Sequence, residues 1–272
     1  MTLDIGAQIM AKAKSLGASL AGIANVEQVK TLPSYALHDR ILNRRDGIEP
    51  PDEFTNLQEF EWPENARSAL IIALSHPLDK PELDWHLESG LLPGNWYLEE
   101  INRKLSTWIN EEYGIITHHV NYAIHRNGIY LKDLAVLSGL GCIGKSNLLI
   151  NPEFGPRLRF RAMLLDAELI PTDPIDFDPC EGCEEFCRKL CPVNAFDEVV
   201  FSPADTGMST LPARTGNYSR PKCLNYFSTT LKESGITASL LSIESRKMEG
   251  TYQTQKYNMN CRRCELACPV GA

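Results

Sequence analysis

Apolar positions recur with two different periods along the first part of the chain. Ile5, Ile9, Met10, Ala13 and Leu16 return at helical spacing and predict an amphipathic helix over residues 2–16. LAGIA (Leu20–Ala24) follows as a short buried strand. Residues 28–63 are polar, with prolines at 33, 50, 51 and 63, which is the composition of short helices and long loops. ALIIALSHP (Ala69–Pro77) is an unbroken apolar run of strand length that stops at proline, as a central strand does. Residues 95–112, NWYLEEINRKLSTWINEE, carry Trp96, Leu98, Ile101, Leu105 and Ile109 as the apolar positions of a second helix. GIITHHV (Gly114–Val120) reads as a strand, and IYLKDLAVLSG (Ile129–Gly139) as a helix stopped by glycine. RLRFRAMLL (Arg157–Leu165) alternates, as a half-buried strand does.

This mixture predicts one α/β (α+β) unit, followed by a linker, PTDPIDFDP (Pro171–Pro179), and a cysteine-rich unit. The expected domains are 1–168 and 169–272, with no repeat at a solenoid period.

Composition narrows the partners. Apolar residues make up 43% of the 272, enough to bury a core, and the formal charge is −8. A nucleic-acid partner normally calls for a basic surplus, so none is expected. No apolar run approaches the roughly 20 residues that span a bilayer. The N-terminus has no basic leader, no continuous apolar stretch and no twin arginine. The expectation is a cytoplasmic protein without a membrane partner.

Eight of the nine cysteines fall after residue 179. In a reducing compartment, such runs mean metal rather than disulfides. CEGCEEFCRKLCP supplies Cys180, Cys183, Cys187 and Cys191; CRRCELACP supplies Cys261, Cys264 and Cys268; Cys223 lies between. Zinc is the competing metal, since paired C-x2-C motifs also make zinc ribbons. Runs ending in Cys-Pro, one after the other, instead follow the bacterial two-cluster ferredoxin pattern, in which the last cysteine of each run serves the other cluster. By that logic Cys180, Cys183, Cys187 and Cys268 bind one 4Fe–4S cluster, and Cys223, Cys261, Cys264 and Cys191 bind the second. The spacing departs from the ferredoxin run once, with three residues between Cys183 and Cys187.

One segment remains, GLGCIGKSNLLINPEFGPRLRF (Gly139–Phe160). Its glycines bring bare backbone close to a phosphate, a flat cofactor or another stretch of chain. It is neither a Walker loop nor a dinucleotide fingerprint, which would follow a strand rather than a helix.

These pieces together resemble the superfamily of epoxyqueuosine reductases and reductive dehalogenases, cobalamin-dependent iron–sulfur proteins. The resemblance is carried by AKSLGASLAGIA, WPENARSALIIALSHP, LAVLSGLGCIGKSNLLINPEFGPRLRFRAMLLD, and the two cysteine runs with Cys223 between them. It implies a nitroreductase-like cobalamin-binding domain followed by a ferredoxin-like domain with two clusters. It implies base-off cobalamin held at Gly139, Leu140, Gly141, Cys142, Gly144, Lys145, Ser146 and Asn147, with Cys142 where epoxyqueuosine reductases commonly carry a bulky aromatic. The aspartate thought to donate a proton in those reductases falls on His125, within NYAIHRNG, and Tyr122 and Tyr130 are nearby alternatives. DWHLESG (Asp84–Gly90) nearly spells a cobalt-ligand motif, but its glycine is one residue late, so His86 reads as an ordinary histidine and His118–His119 as structural. The chain continues for four residues after Cys268, without the helical-repeat tail of the tRNA-modifying relatives, and the dehalogenase leader is missing. The expectation is a relative distinct from both.

The implied function is electron flow from an external low-potential donor through two 4Fe–4S clusters to cobalt, for reduction of a small molecule. The alternative is an electron-transfer protein that binds a corrinoid, or reduces that of a partner protein, or binds a flavin, with no substrate of its own.

Overall fold

A computed structural model of the chain describes residues 4–38, 60–87, 92–122, 124, 128–233, 257–259 and 261–271. Helix α1 (Ile5–Ser15) starts at Asp4, whose carboxylate accepts the Gly6 N–H at 3.0 Å, and ends with Lys12 and Lys14 in its last turn. Strand β1 (Leu20–Asn25) leads into α2 (Val26–Lys30), capped by the Asn25 side chain, and α3 (Pro33–Ala36). Strand β2 (Ser68–Ser75) is followed by a 3-10 turn (Pro81–Asp84) and β3 (Trp85–Leu87). Helix α4 (Pro93–Tyr113) is the longest among the described residues, with proline in its first turn and Gly114 at φ +66° closing it onto the Asn110 carbonyl.

Strand β4 covers only Thr117–His119, where the sequence predicts Gly114–Val120. Gly114 belongs to the helix stop, and of the apolar pair before the strand Ile115 packs on the core while Ile116 is 56% exposed. Helix α5 (Leu131–Leu137) precedes a small hairpin of β5 (Cys142–Ile143) and β6 (Leu149–Ile150), then β7 (Leu158–Leu165).

The main sheet runs β1-β2-β7-β4, and every ladder in it is antiparallel, with Gly22 opposite Ile71, Ile71 opposite Ala162 and Thr117 opposite Leu165. The alternation of helices and strands therefore builds a mixed α+β layer structure rather than a parallel sheet. Strand β2 is buried on both faces, which is why it reads as a continuous apolar run. Ala69, Ile71 and Ala73 pack toward α2 and α5 with Val26, Leu134 and Ala135. Leu70 and Ile72 pack on the opposite face with Ile9 and Ala13 of α1 and Leu98, Leu105 and Ile109 of α4. Each of these large side chains contributes about 1.5–3 kcal/mol on burial.

The remainder has little regular structure: α6 (Phe186–Lys189), α7 (Pro203–Thr206), α8 (Arg220–Glu233), β8 (Tyr257–Met259) and α9 (Arg263–Leu266). Val200, Phe201 and Leu211 form its small apolar cluster. The proline-rich segment before it is tied to the sheet: Thr172 Oγ1 accepts the Ile23 N–H at 2.8 Å and meets the Ser138 carbonyl at 2.9 Å. The end of the chain returns to the sheet unit as well. Strand β8 pairs with β3, Trp85 opposite Met259, and Arg157 Nη2 donates to the Val270 carbonyl at 2.8 Å. A Cβ on Gly155 would overlap that same carbonyl, so the turn closes on the terminal segment with no room for a side chain. Among the described residues no helix is long and apolar enough to cross a membrane.

Candidate functional site

The cysteines sort into two groups by which thiols face each other. Burial pushes the Cys187 and Cys268 thiols up first; beyond that, Cys187 feels Cys180 and Cys268, and Cys268 feels Cys180 and Cys183. Cys264, pushed up to about 12 by burial, faces Cys223 and Cys261, and Cys223 in turn faces Cys261 and Cys191. Cys187 also faces Cys264, so the two groups adjoin. None of the nine is in a disulfide. Backbone N–H groups point at two of the sulfurs: Lys145 at Cys180, 3.4 Å, and Ala195 at Cys191, 3.3 Å. The Tyr218 hydroxyl donates to Cys223. Among the described residues no three His, Cys, Asp or Glu side chains converge closely enough to hold a single metal ion. A cubane makes a different demand, one thiolate on each of four irons, and two adjoining sets of thiols that influence each other electrostatically suit that donor pattern.

Beside the thiols lies a cavity of about 820 Å³, walled by the sheet unit on one side and the cysteine-rich unit on the other. Among the described residues Lys132, Arg159, Arg161, Arg214 and Arg220 line it, with one carboxylate, that of Asp133. Arg159 and Arg161 come from alternate positions of β7. Arg161 donates to Glu99 Oε2 at 3.1 Å and stacks 4.3 Å from the Tyr122 ring centre, while burial pulls its pKa down. Arg159 is held by Asp84, and its buried Nε has no hydrogen-bond partner. Arg214 grips Asp178 at 2.6 Å and donates from Nε to the Ile143 carbonyl. Lys132 donates from Nζ to the Asn147 carbonyl. Burial lowers its pKa to about 8, with Arg220 adding to that effect and Asp133, Cys223 and Cys264 opposing it, so the ammonium remains mostly protonated at neutral pH.

At the other end of the cavity Tyr130, 7% exposed, meets His38 Nδ1 through its hydroxyl at 3.0 Å. Tyr35 stands edge-on to it with ring centres 5.3 Å apart, and burial raises the Tyr35 hydroxyl well above its usual range. Burial likewise raises Asp133, while Ser34 and Lys132 favour its charged form.

Of the residues singled out from sequence, Tyr122, Tyr130, Cys142 and Asn147 line this cavity. Gly139, Leu140, Gly141, Gly144, Lys145 and Ser146 are not among its lining residues. The glycines answer instead to close approach by the chain itself. A Cβ on Gly141 would overlap the Ile150 carbonyl, one on Gly139 the Asp173 carbonyl, and one on Gly144 the Ile150 side chain. Leu140 belongs to the core, Ser146 is buried, and Lys145 pairs with Glu185 at 2.8 Å beside the first cysteine run. His125 and the His86 side chain lie outside the described residues. His118 pairs with Asp166 at 2.5 Å, away from the cavity. Sequence reasoning missed Lys132, His38, Tyr218 and the arginines. Only Arg159 and Arg161 carried a signal, cations repeating at period two in a strand that is otherwise apolar.

No protein-family model matches the chain. A tetrachloroethene reductive dehalogenase of Dehalobacter restrictus is 37% identical over 234 residues, covering 72% of this chain and 40% of that protein. An epoxyqueuosine reductase of Bacillus cereus is 25% identical over 197 residues, covering 69% of this chain and 51% of the relative. The match thus spans about half the length of that reductase. Among solved structures, the epoxyqueuosine reductase of Streptococcus thermophilus superposes with a TM-score of 0.60 at 17% identity, over 98% of this chain and 66% of that one, a likeness of fold.

Proposed function

The chain belongs to the superfamily that unites epoxyqueuosine reductases with reductive dehalogenases, and on that premise we propose that it is an iron–sulfur oxidoreductase that reduces a small molecule. Cys180, Cys183, Cys187 and Cys268 would hold one 4Fe–4S cluster, and Cys191, Cys223, Cys261 and Cys264 the other. The cavity would hold a base-off cobalamin, whose nucleotide-tail phosphate suits a wall of one lysine and four arginines. When bound, the clusters supply one-electron transfer and the corrinoid supplies cobalt-centred reduction. The observation that carries this reading is the adjacency of the two groups of four thiols to one cation-lined cavity.

The residues of the chain do the rest. Lys132 and the arginines bind and orient an anionic group. Ile129, Leu131, Val136 and Phe160 shed water from the same cavity. Tyr130 holds a proton at its hydroxyl, kept in place by His38 Nδ1, and is the general acid of this reading. A hydroxyl so held at the cavity favours an enzyme over a pure electron carrier, which has no use for an acid there.

Anaerobic reconstitution should give about eight irons and eight sulfides per chain, from the composition of two cubanes. The same preparation should change the visible spectrum of added cobalamin. A protein holding one or two zinc ions without acid-labile sulfide defeats the cluster assignment. Tyr130→Phe should slow turnover by about 10²–10⁴-fold, the usual contribution of a general acid, with iron content and cobalamin affinity unchanged. Equal turnover in that variant removes Tyr130 from the chemistry.

A further inference from the structure

Asp84 opens the string that nearly spells a cobalt-ligand motif, yet its side chain turns inward to buried charge. It is 1% exposed and accepts from His76 Nδ1 at 2.9 Å and from Arg262 Nη1 at 2.5 Å, with Arg159 Nη2 on its other oxygen. Arg262, 5% exposed, stands between Cys261 and Cys264 in the chain. Its Nε donates to Glu265 Oε1 at 2.7 Å and its Nη2 to the His76 carbonyl at 2.8 Å. Burial works against the Asp84 charge, but the His76 hydrogen bond and the two guanidiniums outweigh it and hold the carboxyl below its usual range. Two guanidiniums thus meet two carboxylates in a closed network. It reaches from the cavity wall at Arg159 to the last cysteine run.

We propose that Asp84 is a positioning residue that acts through Arg262, fixing how much positive charge reaches the thiols of Cys191, Cys223, Cys261 and Cys264 and so the reduction potential of the cluster they hold. The inference rests on the two-cluster reading above. Cluster potentials respond to net charge and hydrogen bonding around the sulfurs. Taking up one electron adds negative charge to the cluster, which an unneutralised cation nearby favours. In a buried setting that interaction is screened far less than at the surface. Asp84 neutralises the guanidinium of Arg262, a residue that lies between two of those cysteines in the chain and whose other carboxylate partner, Glu265, acts electrostatically on Cys264. A network that merely bolted the C-terminal run to the sheet unit would predict something different. Cutting the bolt at either end would loosen the run and shift the potential in one common direction, or lose the cluster.

The test is an anaerobic redox titration of the reconstituted protein followed by electron paramagnetic resonance, with dithionite supplying the electron and iron and sulfide measured on the same samples. Asp84→Asn should favour the reduced form of one cluster by at least tenfold at a fixed potential, about 59 mV upward for a one-electron couple. Arg262→Gln should move the same cluster downward, and the other cluster should move less in both variants. Glu265→Gln, which removes the second carboxylate from the network, should repeat the upward shift and serves if Asp84→Asn does not fold. Shifts of the same sign in the aspartate and arginine variants overturn the proposal. So do unchanged potentials with full cluster content, or loss of the cluster in all three. A wild-type protein without clusters defeats the underlying reading itself, and is recognised by its iron and sulfide content before any variant is compared.

Discussion

The sheet unit and the cysteine-rich unit are held together by different physics. In the first, β2 sits between two apolar layers, and Leu70, Ile71 and Ile72 are almost wholly buried with partners on both faces. In the second, the apolar cluster of described residues consists of Val200, Phe201 and Leu211, and short helices are joined by long irregular stretches. What orders that half is polar and reaches far along the chain, in part onto the sheet unit: Arg188 reaching the Lys145 and Ala213 carbonyls, Arg214 on Asp178, Arg262 on Asp84. Such contacts contribute little net stability singly, and small units of this kind lean on metal. The difference teaches that one half is specified by side-chain volume, whereas the other is specified by polar contacts that reach across to the first.

The strongest way to break this contrast is to remove the metal. Chelation of the reconstituted protein should open residues 180–270 to protease while residues 4–165 stay protected and far-ultraviolet dichroism keeps its sheet signal. Cooperative loss of both halves would erase the distinction. Next in size is Ile71→Ala, which should cost about 2–5 kcal/mol by denaturant titration and leave iron per folded chain unchanged. Coupled loss of iron would mean that the sheet core and the cysteine loops share one cooperative unit. A smaller effect is expected from Asn25→Ala. Its carbonyl oxygen accepts the Glu27 N–H at 2.8 Å at the start of α2, and losing such a cap costs about 1 kcal/mol. The smallest concerns acid. The Arg103 hydrogen bond holds the Glu100 carboxyl below its usual range, with Lys104 assisting against a slight burial effect. A folded pKa below the unfolded one adds stability above about pH 4.3 that is lost as pH falls through the folded value. Glu100→Gln should therefore lower the sheet unit's stability slightly at neutral pH, flatten the acid limb of its unfolding curve, and change nothing below the folded pKa, where the carboxyl is protonated in both states.

Periodicity made α1, β2, α4 and β7 legible because each has a buried face whose spacing is fixed by its own backbone. The antiparallel order of the strands was not legible in the same way, since pairing direction depends on connections that periodicity does not encode. The glycine segment was legible as a place of close approach, but not for what approaches. Gly141 makes room for the Ile150 carbonyl, a partner nine residues on, and a sequence does not distinguish protein backbone from a flat ligand. The cysteine runs could be read because their short spacings lie within single stretches of chain. The cavity cations could not, because Lys132, Arg159, Arg214 and Arg220 come from separate elements and share only a place in space. Arg262 and Asp84 were hidden for the same reason, one inside a cysteine run and the other inside a misleading string.

The return of the chain's final segment to the sheet unit also bears on how the protein is made. Strand β3 and the turn at Gly155 are synthesised well before their partners, β8 and Val270. At about 5–20 residues per second, the nascent sheet unit stands with that seam open for on the order of 5–20 s. Cys261, Cys264 and Cys268 arrive in the same interval. On the two-cluster reading, loading of these cysteines and closure of the seam fall in the same interval of synthesis.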